Sequence, residues 1–172
     1  GGPSTSKRET LRDKVAILWS YVARVYIPSV LVFGCNGMVI PVIPPFARKV
    51  FHANDAQNGL VMSLISLAGV LLDIPGSFLI AKMGADLSGV FSGAMLFISG
   101  LVGAFASNIY VLGFSRFLHG LGQSSWLTSR TFIFSLAVSH QRGLLISGLG
   151  GMQRISNVLM PTLGSLVVIQ FG

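Results

Sequence analysis

Five long apolar stretches, separated by short polar segments, set the pattern of hydrophobicity along this chain. They cover residues 25–46, 59–81, 87–106, 109–138 and 144–171. Each stretch reaches the roughly 20 residues that an α-helix needs to cross the hydrocarbon core of a bilayer. None alternates steadily between polar and apolar positions, as membrane-spanning β-strands do. The pattern therefore predicts an all-α integral membrane protein built as a bundle of five transmembrane helices.

The connections between the stretches are short, which restricts how the helices are arranged. Ser107–Asn108 separates the third and fourth stretches, and residues 139–143 separate the fourth and fifth. Loops of this length require neighbouring helices to run antiparallel. Near the end of the first stretch, Pro41, Pro44 and Pro45 predict a kink or a helix end.

Residues 1–24 form a cation-rich tail before the first span. Within it, apolar residues recur at helical spacing, namely Leu11, Val15, Leu18 and Trp19. This spacing is typical of an amphipathic helix lying at the cytoplasmic membrane interface. It is equally compatible with a simple extension of the first span.

Charged residues are scarce and unevenly placed. They make up 10% of the chain, against about 25% in soluble domains, and this favours lipid as the surroundings. The net charge is +7, but no basic face is interleaved with aromatic residues, so no nucleic-acid partner is predicted. If the N-terminus is cytoplasmic, the positive-inside rule is satisfied. The inner side then receives Lys7, Arg8, Arg12, Lys14, Arg24, Lys82 and Arg142, and the outer side Arg48 and Lys49.

No pattern of catalytic or metal-binding residues is present in the sequence. It contains no nucleophile elbow, no Walker A loop, no H-E-x-x-H motif and no Cys/His metal spacing. Of its five acidic residues, only Asp73 falls within a predicted span. We therefore expect a protein that is not an enzyme and has no cofactor or bound metal.

Charged residues within the spans are the first candidates for function, because a charge at mid-bilayer costs on the order of 3 kcal/mol on insertion scales. A rise of 1.5 Å per residue places Arg116 roughly 12 Å from the outer side and Arg154 roughly 18 Å from the inner side. Arg130 falls close enough to the cytoplasmic interface for its side chain to extend there.

Polar residues in the fourth stretch recur every three or four positions and form one stripe. The stripe contains Arg116, His119, Gly120, Gln123, Leu127 and Arg130, and further polar residues in other spans are Gln153, Arg154, Asn157 and Asn36. Two buried arginines exceed the single buried acid, so an anionic substrate, an acidic partner or water must balance them. The pattern predicts a solute pathway. Hydrogen bonds to carbonyls that fix helix packing are the alternative role for both arginines, and His119 fits a packed, hydrogen-bonded residue or a proton relay.

Three short motifs resemble those of the major facilitator superfamily. Residues 73–86, D-I-P-G-S-F-L-I-A-K-M-G-A-D, resemble its D-x-P-x-G-x-L-A-D-R-x-G-R-R signature between the second and third spans. The matching positions are Asp73, Pro75, Leu79, Lys82 and Gly84. The departures are Ser77 for a glycine, Ala81 for an acid, and Ala85 and Asp86 for two basic residues.

The other two motifs lie in the fourth and fifth spans. Residues 116–123, R-F-L-H-G-L-G-Q, resemble the family's R-x-x-Q-G-x-G-A, with His119 at the glutamine position. Residues 160–165, M-P-T-L-G-S, resemble the G-P-x-x-G-G element of its antiporters, with Met160 and Ser165 as departures. The matching positions in these two motifs are Arg116, Gly120, Gly122, Pro161 and Gly164.

The resemblance implies a twelve-helix fold of two six-helix halves, of which these would be the first five helices. Because the sequence begins without Met and ends within an apolar stretch, we expect a fragment whose full-length chain supplies the remaining half. Family members work by alternating access, in which the halves rock about a site near the membrane midplane.

The resemblance also implies a function and roles for the matching residues. We expect a secondary active transporter that exports small organic solutes in exchange for protons, with Arg116 as the coupling residue. The cytoplasmic gate would contain Asp73, Pro75, Gly76, Lys82 and Gly84, and the helix-packing motif Gly120, Gly122, Pro161 and Gly164. The alternatives are an uptake symporter or facilitator for an organic anion, and a membrane interaction protein that does not transport.

Overall fold

The computed structural model describes Trp19, residues 25–136 and residues 139–171, and its regular elements are helices. They are α1 (Ile27–Val39), α2 (Ile43–Phe51), α3 (Asp55–Met83), α4 (Ala85–Ala104), α5 (Ile109–Ser135) and α6 (Ser139–Phe171). The prediction of an all-α fold is confirmed. The predicted tail helix within residues 1–24 lies outside the described residues, apart from Trp19.

The helices belong to two compact units, which are described separately. The first contains α1 as far as Met38 together with α6 from Ser147 onward. The second runs from Val39 to Ile146 and contains α2, α3, α4 and α5.

The first apolar stretch is divided between two helices. Helix α1 ends at Val39, and α2 begins at Ile43 after a short turn that contains Pro41. Pro44 lies in the first turn of α2, where a backbone N–H has no partner within the helix in any case. The predicted break near these prolines is confirmed.

Helix α3 begins before the apolar stretch that predicts it. Asn54 caps it, because its side chain accepts a hydrogen bond from the backbone N–H of Gln57 at 2.8 Å, and the Gln57 side chain accepts one from the Asn54 N–H at 3.0 Å. At the other end, Gly84 alone separates α3 from α4. Its φ of +82° is a conformation that favours glycine.

Small and hydroxylated side chains hold α4 against α5. The Ser92 hydroxyl donates to the Gly122 carbonyl oxygen at 2.5 Å, and the Ser99 hydroxyl donates to the Ser115 carbonyl oxygen at 3.0 Å. The hydroxyls of a further pair, Ser88 and Ser125, lie 3.3 Å apart. In lipid no hydrophobic effect drives helices together, so close backbone approach and hydrogen bonds of this kind supply the association.

Glycines in α5 and α6 allow close helix contacts in the two units. In the second unit, a Cβ on Gly120 would collide with the Ile65 carbonyl oxygen of α3. In the first unit, Gly164 lies equally tightly against the Met38 carbonyl oxygen at the end of α1. Met160 of α6 packs on Gly37, where an added Cβ would lie 2.8 Å from the Met160 Cβ.

The helix surfaces expose a large apolar area, as a membrane protein requires. Exposed apolar side chains on α3 include Leu60, Leu67, Val70, Leu71, Ile74 and Phe78. Among the described residues, two helices are long and apolar enough to span a bilayer, α3 and α4, and α1 with α2 would add a third as one broken span. Helices α5 and α6 have 27 and 33 residues, but their polar side chains lower their hydropathy.

We predict that Gly120→Ala destabilises the second unit by about 1–3 kcal/mol, because the new methyl overlaps the Ile65 carbonyl and lies 2.8 Å from the Ala68 Cβ. Unfolding of the purified protein in detergent measures the effect. The matched control is Gly93→Ala on α4, where no atom lies within 4 Å of the added methyl. Equal stability of the two variants would contradict this packing arrangement.

A second prediction concerns the first unit. Met160→Ala removes a side chain that fills the notch left by Gly34 and Gly37, and we expect a loss of about 2 kcal/mol in the same unfolding measurement. Leu159→Ala, at a neighbouring exposed position, is the control and should change stability far less. Indistinguishable losses would mean that Met160 does not fill a packed notch.

Candidate functional site

Arg116 lies at the interface between α5 and α4 and is only 6% exposed. Its Nε and Nη2 atoms lie 3.3 and 3.1 Å from the Ser115 hydroxyl, which accepts from both. A Cβ on Gly103 of α4 would lie 3.2 Å from Nη2, so the absence of a side chain there makes room for the guanidinium. The cation is therefore enclosed by two helices of the second unit.

His119 and Gln123 follow Arg116 on α5 at intervals of one helical turn, and both are half-buried. The Nε2 atom of His119 is fully buried and has no hydrogen-bond partner in the described part of the protein. The predicted polar stripe therefore contains two neighbouring basic side chains with unused hydrogen-bonding capacity.

Asp73 of α3 is linked to α5 by a short hydrogen bond. The Ser124 hydroxyl donates to its Oδ1 atom at 2.5 Å. Asp73 itself is exposed, and Ser124 lies beside the predicted stripe rather than on it. A hydroxyl donor stabilises the carboxylate without supplying a positive charge.

Arg130, near the end of α5, packs against aromatic and glycine residues of the second unit. Its guanidinium carbon lies 4.0 Å from the centroid of the Trp126 ring on the same helix. The Nη2 atom would be 2.8 Å from a Cβ on Gly89 of α4. Stacking on the indole ring and the space above this glycine hold the cation against the protein.

The remaining residues of the predicted gate motif lie at the junction of α3 and α4. Pro75 lies exposed within α3, and Gly76 beside it is buried. Lys82 is exposed in the last turn of α3, and Gly84 is the linking residue. The structure thus places the motif at one end of the second unit, with Asp73 roughly 15 Å along the helix from Met83.

The other predicted pathway residues belong to the first unit. Asn36 of α1 is buried, Gln153 of α6 is half-buried, and Arg154 and Asn157 of α6 are exposed. They form a second group of polar side chains, separate in the chain from the α5 stripe.

The predicted helix-packing residues all make close contacts. A Cβ on Gly122 would lie 2.9 Å from Leu96 of α4, and Gly120 and Gly164 contact backbone as described above. The ring of Pro161 lies 3.6 Å from the Cβ position of Gly37.

Sequence reasoning did not select the serines that support this site. Ser115 accepts hydrogen bonds from Arg116, and Ser124 donates one to Asp73. The available signal was the spacing of Ser88, Ser92 and Ser99, which places buried hydroxyls on one face of α4.

Comparison with known proteins assigns the family. A search of curated proteins found no match to this sequence. The family description Major Facilitator Superfamily, however, matches residues 25–172, which include all six helices and the three motifs discussed above. This is a family of membrane transporters. The chain is a membrane protein of the Major Facilitator Superfamily.

Proposed function

We propose that this protein is a secondary active transporter that exports small organic solutes in exchange for protons by alternating access. Family membership supports membrane transport in general. The antiporter-like element around Pro161 and Gly164 supports exchange and export in particular.

The observation that carries the proposal is the enclosed guanidinium of Arg116. It is buried between α5 and α4, and it donates hydrogen bonds to the neutral hydroxyl of Ser115. A buried charge without an opposite charge is costly, and in membrane proteins such a residue is characteristic of a transport or proton pathway. Arg116 would act as the coupling residue by shifting the proton affinity of groups near it as water access alternates.

The remaining polar residues would divide between a pathway and a gate. Asn36, Gln153, Arg154 and Asn157 would contact the solute from the first unit, and His119 and Gln123 would do so from α5. Asp73, hydrogen-bonded to Ser124, would control the cytoplasmic gate with Pro75, Gly76, Lys82 and Gly84. The second six-helix half that the family fold requires would supply the opposite wall of the cavity.

The excess of cations favours a cytoplasmic N-terminus and also a second candidate function. Lys82 and Arg142 would then face the cytoplasm, and Arg48 and Lys49 of α2 would lie on the outer side. Because Arg116 and Arg154 outnumber Asp73 within the spans, uptake of an organic anion by symport or facilitated diffusion is the alternative.

The direction of the gradient separates the two functions. In vesicles reconstituted with the full-length transporter, we expect solute to accumulate when the interior is acid, because an antiporter exchanges solute for outgoing protons. Vesicles without a pH gradient are the control. Accumulation driven only by an acid exterior would support the uptake symporter instead.

Arg116→Ala should abolish gradient-driven accumulation while the protein still inserts into the membrane, because the coupling charge is lost but the apolar surfaces are unchanged. Transport and membrane-extracted protein are measured on the same preparation. Arg48→Ala is the control, since Arg48 lies on α2 in an exposed ion pair with Asp55 and should retain transport. Normal transport by Arg116→Ala would remove this residue from the coupling site.

A further inference from the structure

The guanidinium of Arg116 has more hydrogen-bond donors than the described residues satisfy. An arginine side chain carries five N–H groups. Two of its nitrogen atoms, Nε and Nη2, share the single hydroxyl oxygen of Ser115. Arg116 is nevertheless almost fully buried, with a relative exposure of 6%. The donors that remain have no acceptor among the described residues, so an additional acceptor would be favourable in this enclosed position.

No carboxylate of the described residues serves as that acceptor. Asp55 forms an ion pair with Arg48 at 2.5 Å, and Asp73 accepts its hydrogen bond from Ser124. Asp86 interacts electrostatically with Arg130, at the opposite end of α5 from Arg116. The positive charge of Arg116 therefore has no counter-charge among the acids of the part of the chain that the structure describes.

A second unpartnered group lies one helical turn from Arg116. His119 is three residues further along α5, so the two side chains occupy the same face of the helix. Its Nε2 atom is buried and lacks a partner within the described residues. In the tautomer that carries its proton on Nε2, this nitrogen is a donor beside the guanidinium. Both groups thus offer N–H donors on one face of α5, where a single anion would accept from both.

The surroundings limit the size of such an anion. Gly103 of α4 approaches so closely that a single methyl group there would lie 2.9 Å from the Ser115 hydroxyl and 3.2 Å from Arg116 Nη2. Ser99 of α4 binds the Ser115 carbonyl oxygen and fixes the two helices at this level. These contacts favour a monatomic anion over an organic carboxylate.

We infer that Arg116 and His119 form a binding site for one halide-sized inorganic anion, which supplies the counter-charge of the buried guanidinium. The site lies entirely within the second unit. The anion would be bound to Arg116 in the resting protein, before any solute is transported. It does not depend on the solute or on the direction of transport.

Replacement of one anion by another in the absence of any gradient tests this inference. Purified protein in detergent is unfolded by heat at constant ionic strength while gluconate is exchanged for chloride. We expect saturable stabilisation, with the midpoint of unfolding raised by roughly 3–6 °C at ten times the dissociation constant. Bromide should act like chloride. No dependence on chloride in the wild-type protein would overturn the inference.

Two pairs of variants assign the effect to this site. Arg116→Gln should abolish the chloride dependence, whereas Arg48→Gln, which removes an exposed cation from α2, should preserve it. His119→Leu should raise the concentration of chloride required several-fold, whereas His119→Gln retains a donor and should bind nearly as well. If Arg116→Gln does not fold, the histidine pair still decides the matter. Equal chloride responses in every variant would refute the site.

The result of the chloride experiment can be told apart from the results of the transport experiments. Acid-driven accumulation with no effect of chloride on stability would remove the anion site and leave the proposed transport function intact. Arg116-dependent chloride binding without gradient-driven transport would establish the site and contradict the coupling role.

Discussion

The helices of this protein must associate in lipid without the hydrophobic effect, and the rest of the structure depends on this constraint. Lipid tails are as apolar as the helix surfaces, so burying leucine against leucine contributes little to assembly. Helix α5 meets this constraint on two sides by different means. Toward α3 it presents Gly120 to a backbone carbonyl, and toward α4 it uses Gly122 together with hydroxyl contacts from Ser92 and Ser99. These close contacts fix the rotation of α5 about its own axis.

The rotation of α5 in turn determines what its charged residues contact. Arg116 faces the α4 interface, where Gly103 leaves room for the guanidinium. Ser124, two turns further on, reaches Asp73 of α3. One helix thus places a cation against one neighbour and a hydroxyl beside the acid of the other. The positions of these groups follow from glycine and serine contacts elsewhere on the helix, and this is why the packing residues and the site residues occur in one short motif.

The sequence was sufficient for the helical class but not for the partners of the polar residues. Long apolar stretches identify membrane helices because their length and composition are sufficient signals. The start of α3 was missed by four residues, since Asp55 and Asn58 are polar and hydropathy does not register the capping pair of Asn54 and Gln57. Helical spacing placed Arg116 and Gly120 in one stripe, yet they contact α4 and α3 respectively. Periodicity assigns residues to a face, but which neighbouring helix covers that face depends on tertiary packing. The serines were overlooked because their hydroxyls are nearly neutral on hydropathy scales.

Because Gly84 alone links α3 and α4, the connection cannot absorb a change in its length. An α-helix turns about 100° per residue, so one residue more or less in the first turn of α4 would swing its serine face away from α5. The same deletion in a long loop would be absorbed without consequence. We therefore expect the length of this junction to be restricted more strictly than its composition. Insertion or deletion of a single residue there should prevent α4 from packing against α5.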